Sequence, residues 1–184
     1  MTRGDFYLQR RRAENPVLLR VLKSLPGERS SYKPHERSPS AEQLVWTLAS
    51  ELRACLEVVR QFRTAWKSDP APPLEEMLSL FEQWSQELTD LVAGLDDASW
   101  NRVAQLYYDG KVVSEQPVGQ FLWFILFDSI HHRRQLAAYL RPPGGAEVSS
   151  IYGASAHSRS AWPGFRFSAG KLLIESLCAC LASA

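Results

Sequence analysis

The chain is almost without net charge: 21 Lys and Arg stand against 20 Asp and Glu, a formal balance of +1. That excludes the basic footprint of a protein built around nucleic acid or an anionic membrane surface. No apolar run reaches the roughly 18 residues needed to span a bilayer. The start, MTRGDFYLQRRR, lacks the apolar core of a signal peptide. Cysteine is scarce and odd in number. Cys55, Cys178 and Cys180 make no disulfide framework, because the last two lie too close together to staple a fold. Gly-rich phosphate loops, serine-nucleophile motifs and paired CxxC units are missing as well. These absences together predict a cytoplasmic protein with neither nucleic-acid nor membrane partners.

What is present is an ordinary globular composition, 45% hydrophobic and 22% charged over 184 residues, enough for one domain with a core. The segment of residues 1–14 is mixed and polar, and its Arg10-Arg11-Arg12 run reads as a solvated helix face. Asn15-Pro16 predicts the start of a short helix carrying Val17, Leu18, Val21, Leu22 and Leu25, ended by Pro26-Gly27. Ser40 with Gln43 fits a capping box. Val45, Leu48, Leu52, Cys55, Val59 and Phe62 then recur three and four apart, predicting a long second helix to about Lys67. Thr47 lies at the flank of that stripe, and Cys55 reads as a small core residue.

Ser68 to Pro73 breaks the chain. Leu74, Leu78, Phe81, Trp84, Leu88 and Leu91 mark a third helix closing near Gly94. In the next connection, Leu106–Val113 reads either as a hairpin turning at Asp109-Gly110 or as a plain loop. Pro117 opens a fourth helix that Arg141-Pro142-Pro143-Gly144-Gly145 stops. The fold expected is all-α, an up-and-down four-helix bundle over residues 1–153. A divergent tail, residues 154–184, follows; its Leu172, Leu173, Leu177 and Leu181 suggest a short extra C-terminal helix.

The fourth helix carries the candidate chemistry. Leu122, Ile125, Ser129, His132, Leu136 and Tyr139 share one face, and Asp128 sits one turn before His132 on it. A carboxylate and an imidazole aimed into an apolar stripe need partners. With Thr47 opposite, Asp128 and His132 form a candidate metal set with an open position. An Asp–His hydrogen bond without metal satisfies the same two groups. His131, with Arg133 and Arg134 beside it, reads as a solvated basic edge. Trp46 and Trp123 fall off the inward stripes, which suggests a homodimer that covers them.

FDSIHHRRQLAAYLRPPGG followed by SSIYG resembles the C-terminal signature of DinB/YfiT-like proteins. YKPHERSPSAEQLVWTLASEL and LDDASW resemble that family's second helix and middle connection. The likeness runs from about Asn15 to Gly153. It implies a four- or five-helix bundle, often dimeric, with metal-dependent hydrolase activity or transfer of a low-molecular-weight thiol to a small-molecule electrophile. The family's metal triad falls on Thr47, Asp128 and His132, of which only His132 keeps the family's histidine. Arg134 replaces the glycine of the usual HHRGQ run. The resemblance therefore implies a degenerate site in which a divalent ion, nickel or zinc, is held weakly or not at all. A non-catalytic bundle that binds a small ligand, or acts as a dimeric interaction module, is the alternative.

Overall fold

The computed structural model describes residues 2–66 and 69–141. Four long helices dominate: α1 (Arg3–Lys23), α2 (Ala41–Gln61), α3 (Leu74–Ala93) and α5 (Val118–Tyr139). A single 3-10 turn (Gly27–Arg29), a short α4 (Asp97–Asn101) and three strands, β1 (Arg63–Ala65), β2 (Val103–Tyr108) and β3 (Lys111–Pro117), complete the elements of the described residues. The fold is thus mainly helical but not all-α. The expected tail helix, Tyr152 and the Cys178–Cys180 pair lie outside the described residues, as does the expected boundary at 153/154.

α1 starts thirteen residues before the expected Pro16. Thr2 and Asp5 form a reciprocal capping box, so the free amides of the first turn are satisfied. The helix then runs through Pro16. Its buried stripe is Tyr7, Leu8, Arg11, Glu14, Leu18, Val21 and Leu22. Two of those positions are charged, so hydrophobic spacing alone shows only the second half. Arg10 and Arg12 are exposed as expected, whereas Arg11 is buried. Glu14 pairs with Arg10 and with the buried Arg133 of α5.

α2 begins as the sequence indicates, with Ser40 and Gln43 capping each other. It ends earlier than expected, because Phe62 adopts a left-handed conformation at φ 55°. That turn redirects the chain into β1, and the Arg102 guanidinium sits 3.8 Å over the Phe62 ring centroid. β1 pairs parallel with β2, and β2 pairs antiparallel with β3 through the Asp109-Gly110 turn. The hairpin reading of this stretch is therefore the one the chain adopts. It is longer than the sequence suggested, running from Val103 to Pro117.

The helices run up, down, down, up, not alternately. Phe6 packs against Trp123 with tilted rings and Glu14 pairs with Arg133, so α1 and α5 are parallel neighbours. Tyr32, just before α2, meets Tyr139 near the end of α5, so α2 descends beside it. The chain then returns to the top. Trp46 Nε1 donates to the Asp69 carbonyl at 3.0 Å, and Arg53 pairs with the Asp69 carboxylate at 2.9 Å. These two contacts set the start of α3 beside the upper half of α2, so α3 also descends. Leu44, Leu48, Leu52, Val58, Leu88, Leu122, Leu126 and Leu136 fill the core between the four helices.

Candidate metal centre

α2 and α5 face each other across Glu51, Asp128 and His132. One ligand atom from each of these three lies within 4.8 Å of the other two. His132 Nε2 is 3.7 Å from Glu51 Oε1 and 3.7 Å from Asp128 Oδ2. The other ring nitrogen, Nδ1, lies 3.4 Å from Gln135 Oε1. A proton on Nδ1 directed at Gln135 leaves the Nε2 lone pair facing both carboxylates, the tautomer a metal-binding imidazole requires.

The three groups sit at different depths. Glu51 is fully buried, while Asp128 and His132 are partly exposed. Burial pushes the Glu51 carboxyl well above its ordinary value. The Ser129 hydroxyl works against that shift, the nearby Asp128 charge adds to it, and the Arg11 guanidinium opposes it. Glu51 Oε1 has no hydrogen-bond partner. A buried carboxylate oxygen left without a donor is costly unless a proton or a cation meets it. Two carboxylates and an imidazole also suit a divalent ion with an open position. On both counts the residues present fit a metal.

Asp128 and His132 are brought together as their spacing predicts. Thr47 stands one turn before Glu51 on α2, and its hydroxyl donates to the Gln43 carbonyl at 2.9 Å. The group that α2 contributes to the cluster is Glu51, which the sequence reading did not single out. The signal was there: Glu51 lies four residues after Thr47, on the same side of the helix. His131 is exposed, with its ring edge-on to His132. Cys55 is buried, with its thiol pushed up to about 12 by desolvation, as a core cysteine should be.

The model of the DinB superfamily matches residues 10–136. The chain belongs to that superfamily. Two solved structures share its fold. A DinB-like protein from Bacillus subtilis aligns with a TM-score of 0.61 at 16% identity, over 79% of this chain and 96% of that one. A DinB-like protein from Bacillus cereus aligns with a TM-score of 0.64 at 17% identity, over 79% and 95%. A search of curated proteins finds no match. Among the described residues, no helix is long and apolar enough to cross a membrane.

Proposed function

We propose that this DinB-family protein is a metal-dependent enzyme of the thiol-transfer or hydrolysis class, with Glu51, Asp128 and His132 as the protein ligands. The observation that carries the proposal is the buried, unpartnered Oε1 of Glu51 beside the Nε2 of His132. A divalent ion would supply Lewis acidity, lowering the pKa of a bound water or thiol. Glu51 would hold the ion from the core side, and Asp128 and His132 from the open side. Thr47, the family's position for a third ligand, would then lie beside the centre without binding the ion.

Because burial raises the Glu51 pKa, an ion bound there competes with a proton, and the competition weakens binding as pH falls. Nickel or zinc is the candidate ion. Calorimetric titration of each metal into the chain and its Glu51→Ala, Asp128→Ala, His132→Ala and Thr47→Ala variants tests the assignment. Loss of binding in the first three with retention in Thr47→Ala is the expected pattern. Retained binding in Glu51→Ala with loss in Thr47→Ala would return the third corner to Thr47.

The other reading, a dimeric interaction module, is supported by the outer face of α5. Phe124 and Phe127 are 57% and 63% exposed, and Trp123, which stacks on Phe127, also meets Phe6 of α1. Dimerisation and metal binding are compatible, and the homodimer is proposed alongside the enzyme.

A further inference from the structure

A second concavity, of about 670 Å³, lies between α2 and the residues on either side of the return to α3. Its walls are aromatic: Trp46 and Trp66 both line it. Trp46 is fixed by its bond to the Asp69 carbonyl, by Arg53 at 5.6 Å from its ring and by Trp84 at 6.4 Å. Trp66 is anchored through its backbone amide to Tyr107 and keeps 38% of its surface exposed.

The polar groups of this groove are of one sign. Glu42 and Asp69 contribute carboxylates, and among the described residues no Lys, Arg or His lines it. Asp69 is committed to Arg53. Glu42, in the first turn of α2, uses only its backbone amide, which donates to the Ser30 carbonyl. The floor holds the Ser50 hydroxyl. Ser50 is 8% exposed, its oxygen is without a hydrogen-bond partner, and the residue lines the cavity. A buried hydroxyl left unpaired beside a concavity is a group waiting for a ligand atom or an ordered water.

We propose that this groove binds a primary arylalkylamine, whose nitrogen is an ammonium at neutral pH. An ammonium group suits the Glu42 carboxylate and is attracted to the indole faces. Its N–H groups give the Ser50 oxygen a donor, which a quaternary ammonium would not. The aryl body is matched to the two indole walls. An anionic ligand of the same shape would meet the Glu42 carboxylate, while the Arg53 guanidinium is already paired with Asp69. The groove shares α2 with the metal centre, since Ser50 precedes Glu51, yet the binding proposed here needs no metal.

The test uses the full chain in EDTA at pH 7, titrated calorimetrically with 2-phenylethylamine, 2-phenylethanol and phenylacetate. The amine should bind saturably at one site, the alcohol more weakly and phenylacetate not at all. Glu42→Gln and Trp66→Ala change partly exposed side chains outside the core, and each should weaken the amine about tenfold. Ser50→Ala should weaken it severalfold. Equal binding of amine and phenylacetate, amine binding within twofold of wild type in both Glu42→Gln and Trp66→Ala, or no amine binding would each overturn the proposal. Since EDTA is present throughout, none of these outcomes bears on the metal reading.

Discussion

The Ser129 hydroxyl lies 2.7 Å from Glu51 Oε2 and 2.8 Å from the Ile125 carbonyl oxygen. A hydroxyl has one hydrogen, and both neighbours are acceptors when Glu51 is ionised. If Glu51 carries a proton, it donates to Ser129, and Ser129 is free to donate to Ile125. Burial favours the same neutral form. A proton and a metal ion therefore compete for the buried Glu51 carboxyl, which Ser129 of the facing helix α5 meets on its other oxygen.

That exchange sets the sign of a pH effect on the metal-free protein. The folded-state pKa of Glu51 lies above the ordinary value of 4.5, so the folded form holds the proton more tightly. Its contribution to stability is full below 4.5 and is lost as pH rises through the folded pKa. Glu51→Gln, which stays neutral, should lack this loss. Urea denaturation of both chelated proteins across about pH 4 to 9 should show the variant gaining on wild type as pH rises. Parallel pH profiles would contradict the assignment. Added zinc should reverse the wild-type trend and leave the variant unmoved.

The site was half legible. Asp128 and His132 declare themselves because i,i+4 spacing on an apolar helix needs only the helix period. Glu51 was hidden because it sits between Leu48, Leu52 and Cys55, whose spacing explains the burial of that face without it. Arg11 and Glu14 concealed the first half of α1 in the same way: hydrophobic spacing does not register a charged residue that is buried. The end of α2 was misplaced for the opposite reason. Val59 and Phe62 continue the helical period, and only the left-handed Phe62 backbone breaks it. The helix directions rest on Trp46 and Arg53 holding Asp69, a contact between residues that no local pattern links.

Gly119 offers a direct test of the packing that supports α5. A methyl group added there would fall 2.1 Å from the Trp100 ring. Trp100 is buried and meets Tyr7 of α1 at 5.8 Å, so it has little room to withdraw. Gly119→Ala should destabilise the fold by about 1–3 kcal/mol, despite alanine's better helix propensity. A thermal midpoint equal to or above wild type would show that the indole can move.

The outer face of α5 should decide the assembly. Its first half is apolar on both sides: Leu122 and Leu126 point inward, while Phe124 and Phe127 are exposed. An exposed aromatic cluster continuous with Phe6 and Trp123 favours burial against a second copy. Light scattering at micromolar concentration should give a dimer mass for the wild type. A Phe124→Glu, Phe127→Glu double variant should give a monomer with an unchanged far-ultraviolet spectrum. A monomeric wild type would remove the dimer.

Cys55 should be inert in the folded chain. It is fully buried, and desolvation raises its thiol to about 12, with Arg11 only partly opposing the shift. The thiolate is the nucleophile, so at pH 8 the reactive fraction is about one part in ten thousand before access is considered. Iodoacetamide treatment followed by peptide mass mapping should leave Cys55 unmodified in native protein and alkylate it fully in guanidinium. Rapid native modification would mean that the core between α1 and α2 opens often, or that Arg11 stabilises a thiolate there. Repeating the reaction in Arg11→Met separates these two. Opening would persist or increase, because the variant loses a buried charge, whereas reactivity from a stabilised thiolate would fall.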